Sequence, residues 1–240
     1  MASSYSTNAG LELVTTGEKA GLWGDITNTN LQILEQTATG YLSVDMAGAS
    51  VTLTLTNGAT SNGKNIYLRL YGTLAADRTL TMPATANRVW IVKDETVRGT
   101  SNRTLGVLTA SGSTTTQIPP GATVLCRSNG SETDVTILKK GYATITDSNS
   151  PYTTVSGAQI FANTTANPIT INLPAAPAVG DEVTVIDTRG TWNSNNCTIG
   201  RNGKPINSAT SDLTLNTNGQ AITLVYVDAT RGWAYKTNTA

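Results

Sequence analysis

The sequence predicts an all-β protein: a short N-terminal helical arm, then two tandem, mutually similar antiparallel β domains, each a sandwich or small barrel. Three observations lead there. The first is period-two alternation, as in Ile169, Ile171 and Leu173, then Val183 and Val185, then Ile222 and Leu224. It puts one row of side chains on a buried face and the other in water. The second is punctuation by turn residues, with Pro174, Pro177 and Gly180 between the first strands and Asn218-Gly219 before the last. The third is internal repetition. RTLTMPATANRVWIVKDE (78–95) echoes ITINLPAAPAVGDEVTVID (169–187), PPGATVLC (119–126) echoes TNGQAITL (217–224), and GYLSV (40–44) echoes GYATI (141–145). In that pairing Leu80 matches Ile171, Met82 matches Leu173, Val89 and Ile91 match Val183 and Val185, and Leu105 and Val107 match Cys197 and Ile199. Two copies of about 100 residues are each a normal domain.

The chain divides accordingly into an arm over 1–39 and β domains over 40–139 and 140–240. Residues 1–10 are rich in Ser, Thr and Asn. Gly17, Gly21 and Gly24 break up the next stretch, and Asp25 is an N-cap candidate for a helix over 26–36. Ile26, Leu31, Ile33 and Leu34 give that helix a broad apolar stripe, with Leu22 and Trp23 just ahead of it. A helix of this length is marginal alone and must pack on something, either its own domain or a partner. These six residues are the candidate docking or oligomer interface. In the first domain, ASVTLTLTN (49–57) and NIYLRLYG (65–72) read as strands, followed by others near Leu80, Val89, Leu105, Val124 and Val135. Lys139-Lys140-Gly141 marks the boundary.

Composition bounds the function. Only 13% of residues are charged, against roughly 25% in typical globular proteins. Formal net charge is zero, with 16 basic and 16 acidic residues, and no basic patch stands out to suggest nucleic acid as a partner. No apolar run approaches the roughly 20 residues of a membrane span, and the first residues lack the pattern of a targeting segment. The expectation is no membrane insertion. Cys126 and Cys197 fall at inward positions of different domains and read as small buried hydrophobes.

The segment LVTTGEKAGLWGDITNTNLQILEQTATGY (13–41) carries the pattern TGE-x-x-G-x-W-G-x-x-T-N-x-N, formed by Thr16, Gly17, Glu18, Gly21, Trp23, Gly24, Thr27, Asn28 and Asn30. It resembles the N-terminal segment of bacteriophage virion proteins, above all tail-fibre-like and tail-appendage proteins of marine phages infecting cyanobacteria and related hosts. The run NLPAAPAVGDEVTVIDTRGTWNSNNCTIGRNG (172–203) is similar to a β module in such proteins. The resemblance implies a homo-oligomer, commonly a trimer, built into a virus particle and made in the host cytoplasm. Its partners would be itself and other virion proteins of tail or capsid, and a host-surface glycan or protein. Long tail fibres run to many hundreds of residues, so a short fibre, a tail anchoring piece or a head appendage fits this chain better. A capsid decoration or head-fibre protein is the alternative within that class.

Chemistry finds little footing in the residues. The absence of histidine removes the commonest general base near neutral pH and excludes a Ser-His-Asp or Cys-His arrangement within the chain. Zinc would need two cysteines from separate domains plus carboxylates. GATSNGKN (58–65) imitates a phosphate loop, but the residue after Lys64 is Asn65, and a strand follows where a helix N-terminus is needed. The pairs Asp94-Glu95 and Asp181-Glu182 are strand neighbours that point to opposite faces. We therefore expect no enzyme, no cofactor and no metal. One loop, TRGTWNSNN (188–196), stands out as a candidate recognition surface through Trp192, Asn193, Asn195 and Asn196. An exposed Trp there would stack on a sugar or anchor a protein contact; the alternative is that it folds back over its own domain. A glycan-binding or depolymerising module is the reading of another class.

Overall fold

The computed structural model describes residues 3–84, 87–99, 102–112, 114–129 and 131–239. Strands β1 (Ser4–Tyr5) and β2 (Glu12–Leu13) pair antiparallel, and helix α1 (Trp23–Thr39) follows. The chain then alternates between two sheets through β3 (Tyr41–Asp45), β4 (Val51–Thr52), β5 (Tyr67–Thr73), β6 (Arg78–Met82), β7 (Arg88–Val97) and β8 (Leu105–Thr109). Strands β3, β5 and β7 are parallel neighbours in one sheet, and β4, β6 and β8 in the other. The ladder ends on antiparallel strands: β9 (Thr116–Gln117) on β8 and β10 (Thr123–Ser128) on β7, with β11 (Thr133–Lys139) beside β10.

The second half repeats that order. Strands β12 (Tyr142–Ile145), β14 (Gln159–Ala162) and β16 (Glu182–Asp187) are parallel in one sheet, and β13 (Tyr152–Thr153), β15 (Ile169–Asn172) and β17 (Cys197–Gly200) in the other. Then β18 (Leu213–Leu215) pairs antiparallel with β17, β19 (Ala221–Asp228) with β16, and β20 (Gly232–Thr239) with β19. Two compact units result. One is residues 1–97, 104–118 and 123–138; the other is 98–103, 119–122 and 139–240. The N-terminal arm is part of the first.

The expected antiparallel sandwiches or barrels are corrected by this pairing. Each unit is a parallel coil that visits two sheets in turn, a β-solenoid, with about six coils in the chain. The register partners Tyr41, Tyr67 and Ile91 recur roughly every 25 residues, enough chain for the crossover that parallel neighbours need. One buried face per strand gives the same alternation in a coil as in a sandwich, so period two could not separate them. A solenoid also escapes the usual rule that parallel sheets are covered on both faces, because its interior is lined by its own two sheets.

Inside each coil the buried row is continuous from strand to strand. In the first unit Leu68, Val92 and Val124 stand side by side, as do Leu80 and Val107 across the other sheet. In the second, Ile160, Val185 and Ile222 form one row and Tyr152, Ile171, Ile199 and Leu213 another. Pairs matched in sequence fall at matching positions, Leu80 with Ile171 and Leu105 with Cys197 among them. One match slips by a residue. Trp90 and Val92 are the buried apolar positions of β7, while Val89 faces outward, so Val92 takes the place of Val185. Asp94 and Asp187 then become equivalent, each a buried acid in its strand.

Helix α1 is longer than the expected 26–36 and begins before Asp25, which sits in the first turn with its carboxylate favourably placed on the helix dipole. The imitation phosphate loop contains a single 3-10 turn, Asn62–Lys64, leading into β5. Lys64 is fully buried there and donates to the carbonyls of Thr56 and Ala59, both at 2.7 Å. The lysine ties the loop closed.

Gly232 opens β20 with φ 70°, and a Cβ there would lie 1.9 Å from the Pro205 carbonyl oxygen. Both the left-handed backbone and the close approach demand glycine. Gly232→Ala should cost about 2–4 kcal/mol in urea unfolding. Cys126 and Cys197 are free, buried thiols, each pushed up to about 12 by burial, Cys197 further by Asp187. Their ordinary value is 9.0. A thiol whose folded value is raised stabilises the fold fully below that ordinary value and loses the contribution as pH climbs toward the raised one. Stability should therefore be flat through neutral pH and fall between about 9 and 12, and native protein at pH 8 should resist a thiol-labelling reagent that modifies both cysteines in denaturant.

Candidate docking surface

The arm is held by two turns and a clamp. Gly17 and Gly21 adopt positive φ, 87° and 81°, and bend the chain between β2 and α1. Asn30, about two helical turns inside, then grips β2 at one residue through both ends of its amide: its Nδ2 donates to the Glu12 carbonyl, and the Glu12 amide donates to its Oδ1, both at 3.0 Å. Further along, the Ser61 amide donates to Gln36 Oε1 at 3.2 Å. Ile33 is completely buried and Ile26 half-buried. Positions 26, 30, 33 and 37 follow the spacing of one helix face. This face packs on the first unit itself, so Ile33 is core rather than docking residue, and the helix is no detachable arm. The Gly40 amide donates to the Gln36 carbonyl at 2.9 Å, and the chain passes straight into β3.

Beside this face runs an apolar stripe with no cover among the described residues. Trp23 is 56% exposed, Leu31 58%, Leu34 46%, and Leu22 beside them 49%. Trp23, Leu31 and Leu34 lie on one face of the helix. Of the motif residues, Gly17, Gly21 and Asn30 thus have structural roles within the chain, whereas Trp23 does not. An exposed Trp and two leucines in a row are unusual for a lone surface helix.

The second candidate surface is corrected. Trp192 is 0% exposed and packs in the core of the second unit. The cause is Asp187. Its Oδ1 accepts from the amides of Arg189 and Gly190 at 3.1 and 2.9 Å, and its Oδ2 from those of Gly219 and Trp192 at 3.0 and 3.4 Å. The carboxylate folds the loop around itself and turns the indole inward. Asn195 Nδ2 donates to the Thr164 carbonyl at 2.9 Å, and the Asn193 amide to Asn218 Oδ1 at 2.8 Å. Of the four predicted residues only Asn193 is fully exposed, with Asn195 and Asn196 half-buried. No platform for a sugar ring remains at Trp192. The Asp-x-x-Gly spacing of 187–190 is a turn signature that predicts such wrapping.

A polar cleft of about 580 Å³ in the first unit is lined by Thr109, Ser111, Thr116, Ser131, Glu132 and Asp134 among others, with no aromatic side chain. It can offer hydrogen bonds but no stacking surface. Among the described residues, no group of three His, Cys, Asp or Glu side chains is placed to hold a metal, and no helix is long and apolar enough to cross a membrane.

No protein-family model matches the chain, and no curated protein matches it. Among solved structures, the chain is similar to one described as the structure of a chaperone-substrate complex, at 14% identity and a TM-score of 0.36. The likeness covers 82% of this chain and 35% of that one, so the chain spans about a third of that protein's length.

Proposed function

We propose that the protein is a bacteriophage virion structural component, of the tail-fibre or tail-appendage type, that works by assembly. The carrying observation is the exposed stripe of α1, with Trp23, Leu31 and Leu34, and Leu22 just ahead of them, exposed on a helix whose adjoining face is already anchored. The occupant we propose is a second and third copy of the chain, a trimer packing through this stripe, with other virion proteins as further partners. Two supports stand behind the reading. The motif at 16–30 resembles the start of phage tail proteins, and the stacked parallel coils within each unit suit a stiff structural part. Burying a leucine side chain fully is worth roughly 1.5–3 kcal/mol, so a stripe of this size, repeated in each subunit, offsets much of the cost of association.

The test is a pair of substitutions on the outer face. Leu31→Asp with Leu34→Asp should leave far-UV dichroism and melting temperature near wild type, because neither side chain packs inward, while sedimentation shows the oligomer reduced to single subunits. A wild-type protein that sediments as a single subunit at high concentration would sink the proposal. Truncation of residues 1–39 is a poor substitute, because it also removes Ile33 and the clamps of Asn30 and Gln36 and should unfold the first coil.

A further inference from the structure

Arg88, the first residue of β7, is 9% exposed, and with Lys64 it puts two cations inside the first unit. Lys64 is satisfied by carbonyls, as described above. Arg88 donates from Nη2 to the Lys64 carbonyl at 3.0 Å, and its guanidinium carbon lies 5.9 Å from the centre of the Trp90 ring. Among the described residues neither cation pairs with a carboxylate, and the rest of the Arg88 donor fork has no protein acceptor. Burial depresses both groups, and Lys64 is lowered further by Arg88. An uncompensated pair of like charges in a low-dielectric setting is expensive.

Beside it is a cavity of about 280 Å³ lined by Arg88, Thr37, Asn8, Asn87, Ile66 and Val89, among others. The cavity thus sets a guanidinium with unused donors beside a largely apolar wall. Guanidinium geometry matches a carboxylate with two parallel hydrogen bonds. The volume is just below the roughly 300–1,000 Å³ typical of sites for drug-sized ligands, so it suits a small acid.

We propose that this cavity binds a small carboxylate carried on an apolar body, its oxygens held by Arg88 and its body against Ile66. The site is independent of the helix stripe and of the virion reading. It supplies the counter-charge that the two cations lack.

Benzoate, its neutral analogue benzamide, acetate and inorganic phosphate are titrated into the full chain by calorimetry, with the Arg88 Nε–H followed by NMR. Benzoate should bind one to one and shift the Arg88 signal, benzamide should not bind, and acetate should bind more weakly for want of an apolar body. Arg88→Gln should weaken benzoate at least about tenfold, the loss of a charge-assisted pair of hydrogen bonds. Benzoate and benzamide binding alike, or neither binding, overturns the proposal on wild-type protein alone, even if Arg88→Gln does not fold. Undiminished benzoate binding in a folded Arg88→Gln overturns it too, and phosphate binding as tightly as benzoate overturns the apolar-body part.

Discussion

A single coil of this chain cannot bury its own apolar row. Leu68 needs Val92 beside it, and Val92 needs Val124; Ile160 needs Val185, and Val185 needs Ile222. Each row is completed only by a strand from the next coil, so the stacking of coils is the contact on which the rest of the fold depends. Two consequences follow. Local irregularity is tolerated in the connections but not in the rows, and the last coil must be stopped. The chain stops it the same way in both units, by bringing later strands back antiparallel, β10 on β7 and β19 on β16.

The buried polar groups are explained by the same constraint. Where a row runs out, Asp187 gathers four backbone amides, and its counterpart Asp94 takes the amide and hydroxyl of Thr96 at 2.9 and 2.7 Å. A carboxylate surrounded by donors turns the chain and satisfies groups that a continuing strand would have paired. The outer face of the first sheet is held differently. Tyr41 stacks on Tyr67 with centroids 5.6 Å apart, and Glu95 bridges Arg69 at 2.5 Å and also meets Lys93. These groups are in water, where such ion pairs contribute little to stability. The rows inside carry the energy and the ladders outside fix the register.

Much of this was legible in the sequence. Alternation located the strands, and the repeat placed Leu80 with Ile171 and Leu105 with Cys197, since inward positions must stay apolar in both copies. What sequence reasoning missed has physical causes. Parallel and antiparallel strands with one buried face share the same period, so direction was invisible; the recurrence of rows roughly every 25 residues was the available clue. For Trp192 the sequence left exposure and folding back both open, and burial holds, because Thr, Asn and Asp close loops by bonding their own backbone. The slip at Val89 arose because Trp90 is the inward residue, and an aromatic among aliphatics is hard to assign to a face. On α1 the apolar stripe read as one broad band is two, with Ile33 inward and Leu31 and Leu34 outward.

That division within one helix bears on how the molecule works. The inward face relies on Ile33 and on polar clamps, Asn30 to Glu12 and Gln36 to Ser61. Directional bonds of this kind fix the position of a helix, and they leave it little freedom to swing away and bury its other side. Water is an unfavourable neighbour for Trp23, Leu31 and Leu34, and in the assembly proposed above the free energy of covering them would go to the partner copies. Because the helix is pre-positioned, its ordering has already been met by folding, and less of the gain is lost on association. Rigid anchoring of one face and unmet apolar area beside it are the two conditions that the proposed assembly requires of this helix.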